Sequence, residues 1–294
     1  MNLSESGNLG DVFIAHANSD QVAVVDLYDT ANPREFSYRD FNAACDAVAN
    51  GLLVAGVEPG DRIGILALNR VEFLEVLFGA MRAGCVPVMI NVKLPDDTVE
   101  YIVKDADMKA VFADANQAER VPDGVRTLTF PSAAELVSGG AGHGSSDAYR
   151  DFVIHSDEQF PSFFAGGDDV AEQPYTSGST GKPKGVLLDH HGQLWMIGKI
   201  VESRDIRADD CSVISAPLYH KNALLAVKSA LSAGGRIVIF SRFDAKEYIK
   251  AIERYKLTML TGVPTMYALI LQEAALFDQT DLSSVRNCSM GSAP

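Results

Sequence analysis

Tyr175-Thr176-Ser177-Gly178-Ser179-Thr180-Gly181-Lys182-Pro183-Lys184-Gly185-Val186 sets four Ser/Thr hydroxyls, three glycines and two lysines within twelve positions. Glycine reaches positive φ and lets main-chain N–H groups come close to an anion. Successive N–H groups in such turns form a concave anion nest, and Gly178, Gly181 and Gly185 suit that role. Thr176, Ser177, Ser179 and Thr180 add hydroxyl donors, and a lysine adds a mobile ammonium that follows charge as it moves. The run reads as a clamp for a polyphosphate.

The nucleotide loop G-x-x-x-x-G-K-[ST] is the first rival, and it needs Ser or Thr after the lysine with a helix beginning at once. Here Pro183 follows Lys182, and Thr176 stands where the first glycine is required. The following Val186-Leu187-Leu188 is an apolar run of strand type, with Asp189-His190-His191-Gly192 after it. A strand-loop-strand clamp is the expectation. His190 and His191 are read in an extended segment, facing opposite sides, and so as structural or solvent-facing rather than as a metal pair. No metal ligand is assigned.

Outward from the clamp, the chain alternates strand and helix patterns. Phe41, Ala44, Cys45, Val48 and Leu52 form a helical stripe within residues 40–55, with Gly56 just past its end. Ile63 to Leu68 reads as a buried strand, Val71 to Ala83 as a helix closed by Gly84, and Val86 to Ile90 as the next strand. Together they make a parallel crossover. A second unit runs from about Thr98 to Ala113. After the clamp come a helix over 193–201, a strand over 213–216, a helix over 223–232 and a strand over 237–240. Asp244 is placed to cap a helix carrying Tyr248, Ile249 and Ile252, and Pro264 suits the first turn of a helix reaching about Phe277. The fold class is α/β, in layered β-α-β units. The stretch Ser138 to Ser146 has no apolar period and reads as a loop, and subdomains are expected at about 1–165 and 166–294.

Composition sets outer limits. With 47% apolar residues the chain can bury a sizeable core. A formal net charge of −14 argues against nucleic acid and anionic membrane surfaces as partners. No run approaches the ~18 apolar residues of a membrane span, and Met1 to Ser6 lacks the basic start of a signal peptide. A cytoplasmic protein is expected, with self-association into a homo-oligomer left open. Cys45, Cys85, Cys211 and Cys288 lack zinc-like spacing and read as reduced core or near-core thiols. Pro174, in the segment Asp168 to Pro174 leading into the clamp, cannot donate a ladder hydrogen bond, so that strand is expected to be short or at an edge.

The clamp resembles the signature loop of the AMP-forming, acyl-adenylate superfamily of acyl-CoA synthetases, peptide-synthetase adenylation domains and luciferases. Other segments are similar to that family in the same order: Phe36 to Phe41, Gly56 to Ile63, Met81 to Val88, Pro217-Leu218-Tyr219-His220, Gly262 to Tyr267, and Gly291-Ser292-Ala293-Pro294 at the start of an adenine-binding turn. The family usually carries a greasy strand into the clamp, and here the segment is charged. The resemblance implies the large N-terminal domain of an adenylating enzyme that uses ATP, Mg2+ and coenzyme A on a small-molecule carboxylate. It places Thr176 to Gly181, Lys182 and Lys184 on the phosphates, with Lys184 catalytic on the leaving pyrophosphate and Lys182 at a variable position. Preorganised donors aimed at developing charge are usually the largest catalytic term.

His220 is implied to orient the carboxylate or the acyl-adenylate, against the plainer reading of a histidine without a partner role. Asn222, Ala223, Val263, Pro264, Met266 and Tyr267 resemble acyl-pocket positions or are plain core; both readings stand. The Tyr-His-Lys-Asn form is similar to that of CoA ligases. The family's magnesium-binding Glu, ribose-binding Asp and late catalytic lysine have no counterpart up to Pro294. The chain is therefore expected to be a fragment, inactive alone, of a carboxylate-CoA ligase. Alternatives are a non-catalytic remnant or nucleotide-binding module, a peptide-synthetase adenylation domain, and a phosphate-loop NTPase.

Overall fold

A computed structural model describes residues 7–138, 148–176 and 181–291. The elements run β1 (Val22–Leu27), β2 (Arg34–Ser37), α1 (Tyr38–Val54), β3 (Arg62–Leu66), α2 (Val71–Arg82), β4 (Val86–Met89), α3 (Asp96–Asp105), β5 (Met108–Asp114), β6 (Arg126–Phe130), α4 (Ala133–Ser138) and α5 (Tyr149–Phe152). They continue with β7 (Val170–Glu172), β8 (Tyr175–Thr176), β9 (Lys184–Gly185), β10 (Leu188–Asp189), α6 (His190–Ser203), β11 (Cys211–Ile214), α7 (Lys221–Ser232), β12 (Arg236–Phe240), α8 (Ala245–Tyr255), β13 (Met259–Gly262), α9 (Pro264–Gln272), α10 (Ala274–Gln279) and β14 (Asn287–Met290). No helix among the described residues is long and apolar enough to cross a membrane.

Two sheets organise these elements. A four-stranded sheet, β4-β3-β5-β6, is parallel throughout. A six-stranded sheet, β14-β13-β11-β12-β1-β2, is parallel except for the β1/β2 hairpin. This second sheet draws on both chain ranges, 1–165 and 166–294, because β1 lies beside β12 with Val24 opposite Ile237. The expected α/β crossovers are present.

Helix α1 starts where local chemistry directs. Ser37 Oγ accepts from Asp40 N at 3.0 Å, and the Asp40 carboxylate accepts from Ser37 N, a reciprocal capping box. Phe41, Cys45, Val48 and Leu52 then present one fully buried stripe, and Gly56 takes the left-handed turn at φ +74°. The stripe packs on α2 at close range. A Cβ on Gly79 would lie 2.6 Å from Cys45 O, so only glycine fits there.

The N-terminus of α2 collects charges from both sheets. Arg70, 1% exposed, donates to Glu72 at 2.8 Å, to Asp114 of β5 at 3.0 Å and to Pro131 O at 2.8 Å. Arg34 of β2 reaches Glu72 at 2.7 Å and also pairs with Asp26 of β1. Burial favours the neutral form of Glu72, yet Arg70 and Arg34 outweigh it and hold the carboxyl at about 2.

One turn on, burial and the Glu72 charge push Glu75 up to about 8, although the Tyr149 hydroxyl donates to it. An unfolded glutamate titrates near ~4.3. Between that value and 8, the folded state keeps a proton that the unfolded chain has released, so stability falls as pH rises through the window. Glu75→Gln is expected to remove this loss. Its melting temperature should gain on the wild type from pH 5 to pH 8, and an equal difference at both pH values would contradict the assignment.

Several details differ from the sequence reading. His190 and His191 begin α6 rather than extending a strand, because the Asp189 side chain accepts from Gly192 N at 2.6 Å and caps the helix. His190 is structural as expected: it is buried, and its Nδ1 accepts from Leu9 N at 2.8 Å. Cys45, Cys85 and Cys211 are buried, but Cys288 is exposed on the edge strand β14. The helix expected to run to Phe277 breaks at Glu273, where φ −87° and ψ 42° leave the helical region. Most of the 138–146 loop lies outside the described residues.

Candidate functional site

The carboxyl ends of parallel strands are where α/β folds build sites, and the ends of β3, β11, β13 and β14 meet here. After β11, Pro217 to His220 form a tight turn in which His220 N donates to Pro217 O at 3.0 Å. Asn69, from the turn after β3, stitches this turn to the other sheet. Its Nδ2 donates to Ala216 O at 2.9 Å, and its Oδ1 accepts from Leu218 N at 2.7 Å. His220 is thereby fixed as the residue preceding α7, with its ring solvent-accessible.

The ends of β13 and β14 close in beside α7. Gly291 N donates to Gly262 O at 3.2 Å, and the Tyr267 hydroxyl donates to Ser289 O at 2.9 Å. A Cβ on Gly291 would lie 3.2 Å from Asn222 Nδ2, which puts the start of the expected adenine turn against the residue two after His220. Asn222, Gly291, Tyr267 and His220 thus lie at adjoining strand ends. Ala223 and Met266 are buried in the core, Val263 is half-buried against it, and Pro264 opens α9 in its first turn. Ser292, Ala293 and Pro294 lie outside the described residues.

The clamp is a strand-loop-strand hairpin. Tyr175 pairs with Gly185 and Thr176 with Lys184, antiparallel. Below it, β7 pairs with β10, with Glu172 opposite Leu188. The strand leading into the clamp is three residues long, as Pro174 and the charged sequence imply. Val186 N donates to Pro174 O at 2.9 Å, and the Tyr175 hydroxyl donates to Asp105 of α3 at 2.7 Å. Gly185 allows close approach, since a Cβ there would meet Gln173 Nε2 at 2.4 Å. Thr176, Gly181, Lys182 and Lys184 are exposed. Ser177, Gly178, Ser179 and Thr180 lie outside the described residues. No hydrogen bond or ion pair among the described residues joins Thr176, Lys182 or Lys184 to His220.

Charge distribution marks the same region. Of eleven lysines, seven have a carboxylate within 4.0 Å: 104, 109, 199, 228, 246, 250 and 256. Lys93, Lys182, Lys184 and Lys221 have none among the described residues. Two of these four are on the clamp, one follows His220, and Lys93 lies in the loop after β4. Lys182 rests over the Tyr101 ring at 5.1 Å. In a chain of net charge −14, lysines without a carboxylate partner on the clamp and beside His220 suit an anionic ligand.

Lys93 was not legible as a site residue, although its position after a buried parallel strand is a signal. Arg120 braces its loop, donating to Val92 O at 2.9 Å and to Leu94 O. Desolvation and the Lys93 charge hold the His220 pKa below its ordinary value, which favours neutral imidazole at pH 7. Lys93→Met is expected to raise that pKa, read from the His220 ring-proton NMR titration; an unmoved midpoint would contradict the proximity. No cluster of three His, Cys, Asp or Glu among the described residues is arranged to hold a metal.

The sequence matches the family described as AMP-binding enzyme over residues 14–294. It is 32% identical over 259 residues to feruloyl-CoA synthase of Amycolatopsis sp, covering 88% of this chain and 49% of that protein. It is 32% identical over 275 residues to 4-coumarate-CoA ligase 1 of Solanum tuberosum, covering 91% and 49%. Among solved structures, ATP-bound MatB from Rhodopseudomonas palustris is similar with a TM-score of 0.81 and 28% identity, over 98% of this chain and 55% of that one. The chain spans about half the length of the curated relatives it matches. With its clamp closed by strands on both sides and the match running through nearly all of its length, the chain belongs to the AMP-binding enzyme family.

Proposed function

We propose that the whole protein is an ATP-dependent carboxylate-CoA ligase and that these 294 residues supply its phosphate clamp and part of its acyl-adenylate site. The observation that carries this reading is the antiparallel closure of the clamp by Tyr175-Thr176 on Lys184-Gly185. A phosphate-loop NTPase needs a helix directly after Lys182, and a strand stands there instead. The names of the relatives, feruloyl-CoA synthase and 4-coumarate-CoA ligase, support CoA-thioester formation over a peptide-synthetase role.

In the proposed chemistry a carboxylate oxygen attacks the α-phosphorus of ATP, the bond to the β-phosphate oxygen breaks, and pyrophosphate leaves. Charge builds on that leaving group. Thr176 and Lys184 offer donors to that charge. His220, neutral and fixed by its turn, orients the carboxylate. The coenzyme A thiol then attacks the acyl carbon, losing its proton, and AMP leaves with the original carboxylate oxygen. Mg2+ would accompany ATP as its phosphate complex.

The test is product analysis on protein expressed from the complete coding sequence, with ferulate, 4-coumarate and fatty acids as the acid panel. AMP and an acyl-CoA forming together, only when acid and coenzyme A are both present, is the expected result. ADP formation without an acid would replace this reading with a hydrolase.

A further inference from the structure

Glu172 and Lys228 form an ion pair sealed inside the protein. Lys228 Nζ donates to Glu172 Oε2 at 2.6 Å, with the two side chains 1% and 2% exposed. Lys228 lies among the buried Leu224, Val227 and Leu231 of α7, and Glu172 lies on the strand that leads into the clamp. Two apolar residues of similar volume fill such a space without desolvating charges. Core filling therefore does not explain the pair.

Its two ends do. Glu172 is opposite Leu188, where both arms of the clamp enter the body of the protein. Lys228 sits on the helix that His220 precedes, eight residues along the chain, or about 12 Å by helical rise. His190, the first residue of α6, lies within electrostatic reach of both partners and is itself tied to Leu9. The adenylation step needs the carboxylate, the α-phosphorus and the leaving oxygen in line, and a misplacement of about 1 Å costs on the order of 100-fold in rate. A hydrogen-bonded charge pair holds donor and acceptor to one geometry, a constraint that apolar packing does not impose by direction.

We propose that Glu172 and Lys228 are positioning residues that lock the stem of the phosphate clamp to the His220 helix, setting the distance between the pyrophosphate side and the carboxylate side of the site. The meaning of those two sides rests on the adenylation reading. The lock itself is a property of the fold and is measurable without turnover.

The test uses protein from the complete coding sequence and compares Glu172→Leu/Lys228→Met with the charge-swapped Glu172→Lys/Lys228→Glu. The apolar double variant is expected to melt within about 5 °C of wild type. Its kcat for acid-dependent ATP-pyrophosphate exchange should fall about 10- to 100-fold, with KM for ATP changed by less than about threefold. The swapped pair should recover most of that kcat. In parallel, spin labels at Lys182→Cys and Lys221→Cys, in a Cys288→Ser background, report the distance between clamp and helix. The distribution should be narrow with the native pair and broad in the apolar double variant. A wild-type kcat or an unbroadened distribution in that variant overturns the proposal. Absence of exchange in the wild type counts against the adenylation reading, while the distance measurement still decides the lock.

Discussion

Lys184→Ala lowers acid-dependent ATP-pyrophosphate exchange by about 100- to 1,000-fold and leaves the melting temperature nearly unchanged. The two halves of this expectation come from the same geometry. Lys184 takes part in the hairpin through its backbone, opposite Thr176, and its side chain is exposed with no carboxylate partner among the described residues. Truncating it therefore removes no side-chain hydrogen bond or ion pair among the described residues. On the proposed reading, what it removes is a full positive charge beside the leaving pyrophosphate. Lys182→Ala should lose less, below about tenfold, because Lys182 rests on the Tyr101 ring and must give up that contact to reach a phosphate. Steady-state exchange kinetics on the two variants separates them. A Lys184→Ala protein that exchanges at the wild-type rate would remove Lys184 from the chemistry.

Arg70→Met carries the largest expected effect on stability, a loss of about 3–5 kcal/mol. Arg70 is fully enclosed, lies over the Tyr28 ring at 4.4 Å, and serves Glu72, Asp114 and the Pro131 carbonyl at once. Methionine fills much of the volume but leaves buried carboxylates short of a partner. The loss has a pH signature. Glu72, held near 2 in the folded wild type, contributes stability that is present above its unfolded value of ~4.3 and disappears as pH falls through 2. Without Arg70 only Arg34 holds Glu72 down, so that contribution is reduced at neutral pH, and the gap to wild type should be widest near pH 7 and should narrow in acid. Denaturant titrations at pH 7 and pH 3 check the sign. A gap that widens in acid would contradict the network.

Elements whose signals are local could be read from the sequence. The α1 stripe, Gly56 and the Pro183 that rejects a helix after Lys182 each act within a few residues, and each stands where expected, whereas the Ser37–Asp40 capping box that starts α1 at Tyr38 was not read from the sequence. The recruitment of β1 and β2 into the sheet formed by the later strands could not be read, because an apolar alternation specifies a buried face and not a partner. His190 was placed in a strand because Leu187 and Leu188 precede it, and the cap chemistry of Asp189 overrode that run. At the site, the strand-loop-strand form of the clamp was legible from its composition, and His220 was singled out by family likeness. Lys93 and the Glu172–Lys228 pair were not, since their meaning depends on what lies across space: a single lysine in a polar loop, and two charges 56 residues apart.

Oxygen transfer from the acid to AMP tests the central claim most directly. With a substrate acid labelled with 18O in both carboxylate oxygens, ATP and coenzyme A, the account predicts that AMP carries one labelled oxygen and that the acyl-CoA keeps the other. Unlabelled AMP, or nucleotide appearing as ADP, would contradict an acyl-adenylate formed at this clamp.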